Sequence, residues 1–222
     1  MIYPDWPAPK AVRAASTLRG ITPGEAWRSL GVPGEIRWLN QVHGARVVRA
    51  DESWESASAD ASIAFSPNAA CVLRTADCLP ILLCDDSGTR VGAAHAGWRG
   101  LASGVIEAAV AALCEGGPQA VGPAGLMAWI GPGIGSGVYQ VGPDVFQAIS
   151  AGTPDAERFF ASQDPDHWLC DLAALARHQL GRLGVSRVYG GRWCTYSDTG
   201  RFHSYRRDPG AGRHASFIWL DS

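Results

Sequence analysis

The chain has 222 residues, of which 46% are apolar and 18% charged, with nine tryptophans; this excludes intrinsic disorder, a collagen-like repeat and a pure coiled coil, and suits one cored domain spanning 1–222. Nineteen basic residues face 21 acidic ones, a net charge of −2, so no overall field exists for holding a nucleic acid. Lys10 is the only lysine; genomic bias accounts for the arginine excess, although arginine also suits bidentate phosphate contacts.

The opening stretch mixes prolines with small and polar residues and lacks the apolar run of a secretory signal, so a cytoplasmic protein is expected. Residues 36–39 and 45–49 read as short extended pieces around a turn at His43 and Gly44, and the polar run 51–60 as an exposed loop. Residues 71–75, 80–84 and 91–96 read as strands of one compact sheet, with a hairpin-like turn at 85–88. Leu101, Val105, Ala109, Ala112 and Leu113 recur at helical spacing and predict a helix over 101–113, closed near Gly116 and Gly117. Residues 126–130 predict a buried strand entering the glycine-rich bend 131–135. A short helix is expected over 144–149 and a longer one over 171–183, with Leu172, Leu175, Ala176, Gln179, Leu180 and Leu183 on one side and Gly184 as exit. Strands at 185–190 and 216–220 complete an α+β reading: a mixed β-sheet core with flanking helices. The uncharged run 116–143 is broken by Pro118, Pro123, Pro132 and several glycines, so no membrane association is expected.

Six cysteines, at 71, 78, 84, 114, 170 and 194, contain no CxxC pair and read as reduced thiols; Cys71, Cys84 and Cys114 sit in apolar segments as small buried side chains. Cys78 differs, because it belongs to one of three separated motifs: WLNQVHG at 38–44, RTADC at 74–78 and HAGWRG at 95–100. Two imidazoles and one thiolate make a Cys-His-His zinc site with an open fourth position if folding brings His43, Cys78 and His95 together. The spacings of 35 and 17 residues are unlike those of a compact zinc finger, so only the tertiary fold can assemble it. The alternatives are a turn histidine bonded to backbone for His43, a satisfied strand-end histidine for His95 and simple burial for Cys78.

With IGPGI and YQVG at 130–142, DLAALARHQL at 171–180, CTYSD at 194–198, SYRRD at 204–208 and GRHA at 212–215, these motifs closely resemble the YfiH-like bacterial family. That family was first described as multi-copper polyphenol oxidases and later associated with purine nucleoside phosphorylase and adenosine deaminase activities. The resemblance runs from about residue 37 to 220 and implies a YfiH-like fold with zinc on His43, Cys78 and His95. Three departures stand out. Residues 15–34 abbreviate a longer segment carrying SLNLG, GD and NR, so its asparagine and arginine contacts have no counterpart here. Gln140 replaces a common glutamate, and His203 a common phenylalanine.

The resemblance implies an enzyme whose partners are purine nucleosides and inorganic phosphate, releasing the base and ribose 1-phosphate. Adenosine deamination and methylthioadenosine phosphorolysis are further activities it brings; the usual deaminase signature with HxE and PCxxC is absent. Asp77, Cys78 and Arg99 are the residues expected to carry chemistry. Asp77 either exchanges a proton or orients a histidine ligand, or is a loop carboxylate capping amides. Arg99 either contacts an oxyanion or is a solvent-exposed or ion-paired side chain, with Arg74 and the arginines of YRR at 205–207 as weaker alternatives. Amides near Gly131, Gly133 and Gly135 either cradle an anion or form a tight turn, and Tyr139 either stacks on a nucleoside or packs in the core. Two other readings stand beside this one: a copper-dependent, laccase-like oxidase, for which six histidines and two methionines are a sparse inventory, and a non-catalytic, zinc-stabilised interaction module. The sequence leaves the oligomeric state open.

Overall fold

A computed structural model of the chain describes residues 1–52, 57–117 and 119–221. In chain order, β1 (Val12–Ser16) and α1 (Pro23–Leu30) precede β2 (Val47–Arg49), β3 (Ala61–Ala64), β4 (Ala70–Thr75), β5 (Leu79–Asp85) and β6 (Val91–Ala96). Next come α2 (Trp98–Ala102), α3 (Val105–Glu115), β7 (Leu126–Ile130), β8 (Gln140–Val141) and α4 (Pro143–Gly152). The chain closes with β9 (Phe160–Asp164), β10 (His167–Cys170), α5 (Leu172–Arg182), β11 (Arg187–Gly190) and β12 (His214–Leu220). The result is the expected α+β domain, built on a mixed six-stranded sheet of order β11-β7-β5-β6-β3-β2. An antiparallel sheet β1-β12-β4 and a small one, β8-β10-β9, accompany it.

The layering follows from alternation along the strands, since successive side chains point to opposite faces. On β5, Ile81 and Leu83 pack with Val105, Ile106 and Leu175 from the helices, while Leu82 and Cys84 pack with Leu73 and Ile218 of the antiparallel sheet. That is why residues 79–85 are apolar almost without interruption: both faces are covered. On β12, Ile218 joins this inter-sheet core, whereas Phe217 and Trp219 face the other way, onto Trp27 of α1. Each such side chain contributes about 1.5–3 kcal/mol by leaving water.

Several expectations change. Residues 71–75 do not share a sheet with 80–84 and 91–96: β4 pairs with β12, and β5 with β6. The corner between the two sheets is made at Asp77, whose φ of 87° is left-handed. Residues 36–39 form no strand; Asn40 makes an isolated bridge to Ser58. Of the supposed loop 51–60, residues 53–56 lie outside the described residues, but Ala57, Ala59 and Asp60 are buried and lead into β3, which the sequence reading passed over. The helix expected over 101–113 is two helices, α2 and α3, separated at Gly104 (φ 83°). Helix α1 also went unforeseen, although its signature is present: Thr22 and Glu25 form a reciprocal capping box, with proline opening the helix.

Candidate metal centre

The fold brings His43, Cys78 and His95 together at one end of the β5–β6 hairpin, with one ligand atom from each within 4.8 Å of the others. His95 comes from β6, where its neighbour across the ladder is Pro80, and Cys78 comes from the corner that opens β5. The His43 and His95 rings lie 4.9 Å apart at 61°. His43 has φ 61°; it and Asp77, the residue before Cys78, are two of the three non-glycine residues with positive φ among the described residues. Such backbone costs about 1–3 kcal/mol each and persists only where neighbours enforce it.

Asp60 does the enforcing for the turn at 42–44. It is fully buried and accepts the amides of Val42 (3.1 Å), His43 (2.9 Å) and Gly44 (2.7 Å). Its Oδ1 lies 2.8 Å from His95 Nδ1, and its carbonyl accepts the His95 amide at 2.7 Å. With Nδ1 engaged, His95 offers Nε2 to the cluster, the carboxylate–histidine arrangement that fixes a ligand's tautomer and raises its basicity. Asp60 was not singled out by the sequence reading. The signal was a lone carboxylate in a run of small and apolar residues, 57–64, where burial demands a partner.

Burial opposes the thiolate of Cys78, but hydrogen bonds from His43 and His95 outweigh it and hold the thiol down to about 7. Burial likewise opposes charge on His95, yet Asp60 and Cys78 raise the imidazole to about 9. Asp60 sits below the usual carboxylate range: its burial is offset by His95 and by the three turn amides. Room for the sulfur is made at Gly97, where a Cβ would stand 2.5 Å from Cys78 Sγ. One thiolate and two imidazoles at this spacing fit a divalent ion with three protein donors. Their open side faces a cavity of about 570 Å³, also lined by Asn40, Gln41, Arg74, Tyr205 and Arg213.

The other expected residues are placed elsewhere. The Asp77 carboxylate accepts Thr195 Oγ1 (2.6 Å), Ser204 Oγ (3.0 Å) and the Arg206 amide (2.7 Å), and its carbonyl accepts the Ile134 amide at 2.8 Å. It ties the segment 195–206 and the glycine bend to the corner that presents Cys78. Arg99 is exposed and stacks over Trp98, 4.2 Å from the ring centroid. Arg207 is bonded to the carbonyls of Thr195, Tyr196 and Phe202, and Arg206 to that of Gln140, above the ring of buried Tyr139. The amides of Gly131, Gly133 and Gly135 already donate to Pro80, Trp193 and Cys194 Sγ, so the bend is a packed turn rather than an anion cradle.

Residues 24–221 match the family described as multi-copper polyphenol oxidoreductase laccase. The chain is 44% identical over 243 residues to a purine nucleoside phosphorylase of Pseudomonas aeruginosa, covering 99% of this chain and 98% of that one. It is 39% identical to the purine nucleoside phosphorylase YfiH of Escherichia coli, with the same coverage. Among solved structures, a Neisseria meningitidis protein superposes with a TM-score of 0.88 at 39% identity, covering 100% of this chain and 99% of that one. YlmD from Geobacillus stearothermophilus superposes at 0.85 with 26% identity, over 96% and 93%. No helix among the described residues is long and apolar enough to cross a membrane.

Proposed function

Since the chain belongs to the family described as multi-copper polyphenol oxidoreductase laccase, whose relatives of 39–44% identity carry the name purine nucleoside phosphorylase, we propose that it is a zinc-dependent purine nucleoside phosphorylase. Its substrates are a purine nucleoside and inorganic phosphate. The observation that carries the reading is a three-donor cluster closed from behind by Asp60 and open in front to a cavity of nucleoside size. Residues 1–222 form one domain of this family with a shortened N-terminal segment.

His43, Cys78 and His95 would hold the ion, which when bound would supply Lewis acidity. The protein's own part is positional. Asp60 keeps Nδ1 of His95 engaged and so leaves Nε2 free to act as a ligand, and the same carboxylate pins the turn that carries His43. Asp77 acts through the backbone, holding the corner from which Cys78 projects. In the reaction a phosphate oxygen bonds to C1′ of the ribose while the bond from C1′ to the purine nitrogen breaks; the electron pair leaves with the base, which takes up a proton.

The donor set would also suit copper, as the family description implies, because two imidazoles and a thiolate are ligand types that blue-copper sites use. Met127, however, is buried in the inter-sheet core. Among the described residues these three side chains form the one group of three or more His, Cys, Asp or Glu residues spaced for a metal, too few for a multinuclear oxidase.

The test is to incubate metal-analysed protein with adenosine, with and without phosphate, and separate the products. Adenine and ribose 1-phosphate are expected only with phosphate, and Cys78→Ala should lose both metal and turnover. Inosine formed without phosphate would make the centre a deaminase instead. Undiminished turnover in the Cys78→Ala protein would detach the activity from this centre.

A further inference from the structure

The cavity in front of the three donors carries two arginines that the metal does not use. Arg74 is the one exposed residue of β4. Its amide and carbonyl are clamped by the side chain of Gln41, both bonds 2.9 Å, and its guanidinium stacks 5.0 Å from the Trp38 ring. Arg213 immediately precedes β12 and stacks 5.3 Å from the ring of Tyr205, which is 53% exposed. The β4–β12 ladder pairs Ala215 with Arg74 and His214 with Thr75, so register alone sets the two arginines on neighbouring chain ends at one mouth.

What the guanidinium groups touch distinguishes them from other arginines. Arg13, Arg187, Arg192 and Arg201 meet aspartates, and Arg207 is consumed by three carbonyls. Arg74 reaches a single carbonyl, that of Leu39 at 3.5 Å, through one nitrogen. Arg213 uses one nitrogen on the carbonyls of Ala211 and Gly212. Among the described residues neither meets a carboxylate, and no carboxylate lines the cavity. Two stacked, half-used guanidinium forks lining the same cavity as the three donors, with no carboxylate in its wall, suit a compact polyanion with several acceptor oxygens.

We infer that Arg74 and Arg213 form the phosphate-binding wall of the cavity that His43, Cys78 and His95 also line. The assignment of phosphate as the anion rests on the phosphorylase reading above. The wall would deliver the attacking oxygen from the side of the β1-β12-β4 sheet, leaving the exposed Tyr205 ring as the surface against which the purine lies.

The experiment titrates inorganic phosphate calorimetrically into zinc-loaded protein, without nucleoside. Wild type should bind phosphate, more weakly as ionic strength rises. Arg74→Gln and Arg213→Gln should each weaken binding by about tenfold or more, and the double variant should abolish it. Arg213→Lys, which keeps the charge but loses the fork, should fall between; the remote Arg13→Gln should match wild type. Zinc content and melting temperature establish that each variant is folded. In turnover the substitutions should raise KM for phosphate about tenfold while moving KM for the nucleoside far less.

Absence of phosphate binding in wild type, or binding unchanged in the folded double variant, overturns the inference. Phosphate held by the two arginines in a protein that cleaves no nucleoside would sink the phosphorylase reading and leave the anion wall standing. Phosphorolysis with a phosphate KM indifferent to both substitutions would do the reverse.

Discussion

At one end of the β5–β6 hairpin Asp60 is buried against His95, and at the other end Asp85 is buried against Arg90. Both carboxylates gather the amides of a neighbouring turn: Val42, His43 and Gly44 for the first, Thr89 (2.8 Å) and Arg90 (3.1 Å) for the second. Both are held below the usual carboxylate range: burial is outweighed by hydrogen bonds from His95 and the turn amides at Asp60, and from the Ser87 hydroxyl, Thr89 and the Arg90 amide at Asp85. The difference lies in where each network ends. Arg90 runs on to the carbonyls of Leu113 (2.7 Å), Gly116 (3.0 Å) and Gln119 (2.7 Å), capping the C-terminus of α3 from the protein side. His95 runs on to a thiolate and a second imidazole that face a cavity. The same device therefore closes a helix end where it terminates on backbone, and presents open donor atoms to a cavity where it terminates on side chains.

The sharpest way to break that contrast is to remove the charge at each end. Arg90→Ala strands Asp85 and the Leu113 carbonyl in the interior, and should destabilise the fold by about 3–5 kcal/mol, as breaking a buried pair does. Urea unfolding measures this, while metal analysis of the folded fraction should still find a full complement. Asp60→Asn should instead appear first in the metal: about 10–100-fold weaker zinc binding, the usual consequence of losing a ligand's supporting carboxylate. A chelator competition reads it. If Asp60→Asn left zinc affinity intact and cost only stability, the two ends of the hairpin would be equivalent, each carboxylate serving the fold alone.

How much of this was legible beforehand depended on distance along the chain. Strands β5, β6 and β7 announced themselves as apolar runs, because strands covered on both faces need no polar alternation. The three donors were legible as residue types in motifs, though not as neighbours. Strand β3 was not, since ASIA is too small-sided to register as a core strand; it is buried because β6 and α3 come close, Gly92 having Leu113 and Ile63 within 3.3 Å of where its Cβ would stand. Asp60 was hidden for a different reason: its partners lie 16 to 35 residues away, and a carboxylate's meaning is set by what surrounds it. The split between β4 and β5 turned on the left-handed backbone of Asp77, a conformation that aspartate tolerates better than most residues but adopts too seldom for residue type to signal it. Arg74 and Arg213 become neighbours only through the β4–β12 register.

The smallest predicted effect is the most direct comparison of the two ends, because each carries a cysteine. Burial pushes Cys84, beside Asp85, up to about 12, whereas Cys78 is held down to about 7 against its burial by the two histidines. In metal-free protein at pH 7 about half of Cys78 is thiolate, roughly fifty times the fraction of an ordinary thiol, but the lower basicity of that thiolate costs roughly eightfold in nucleophilicity, for a net gain of about sixfold. Iodoacetamide labelling followed by site-resolved mass spectrometry should show Cys78 reacting about sixfold faster than a free thiol and Cys84 not reacting, with zinc protecting Cys78. The pH dependence has a definite sign. The depressed thiol contributes stability above its ordinary pKa and loses it as pH falls through about 7. The raised imidazole contributes below its ordinary 6.5 and loses it as pH climbs through about 9. The thiolate–imidazolium pair is therefore strongest between those values. A labelling midpoint for Cys78 near 9 in the metal-free protein, with or without zinc protection, would mean that the histidines do not hold the sulfur as a thiolate and that this end of the hairpin is as inert as the other.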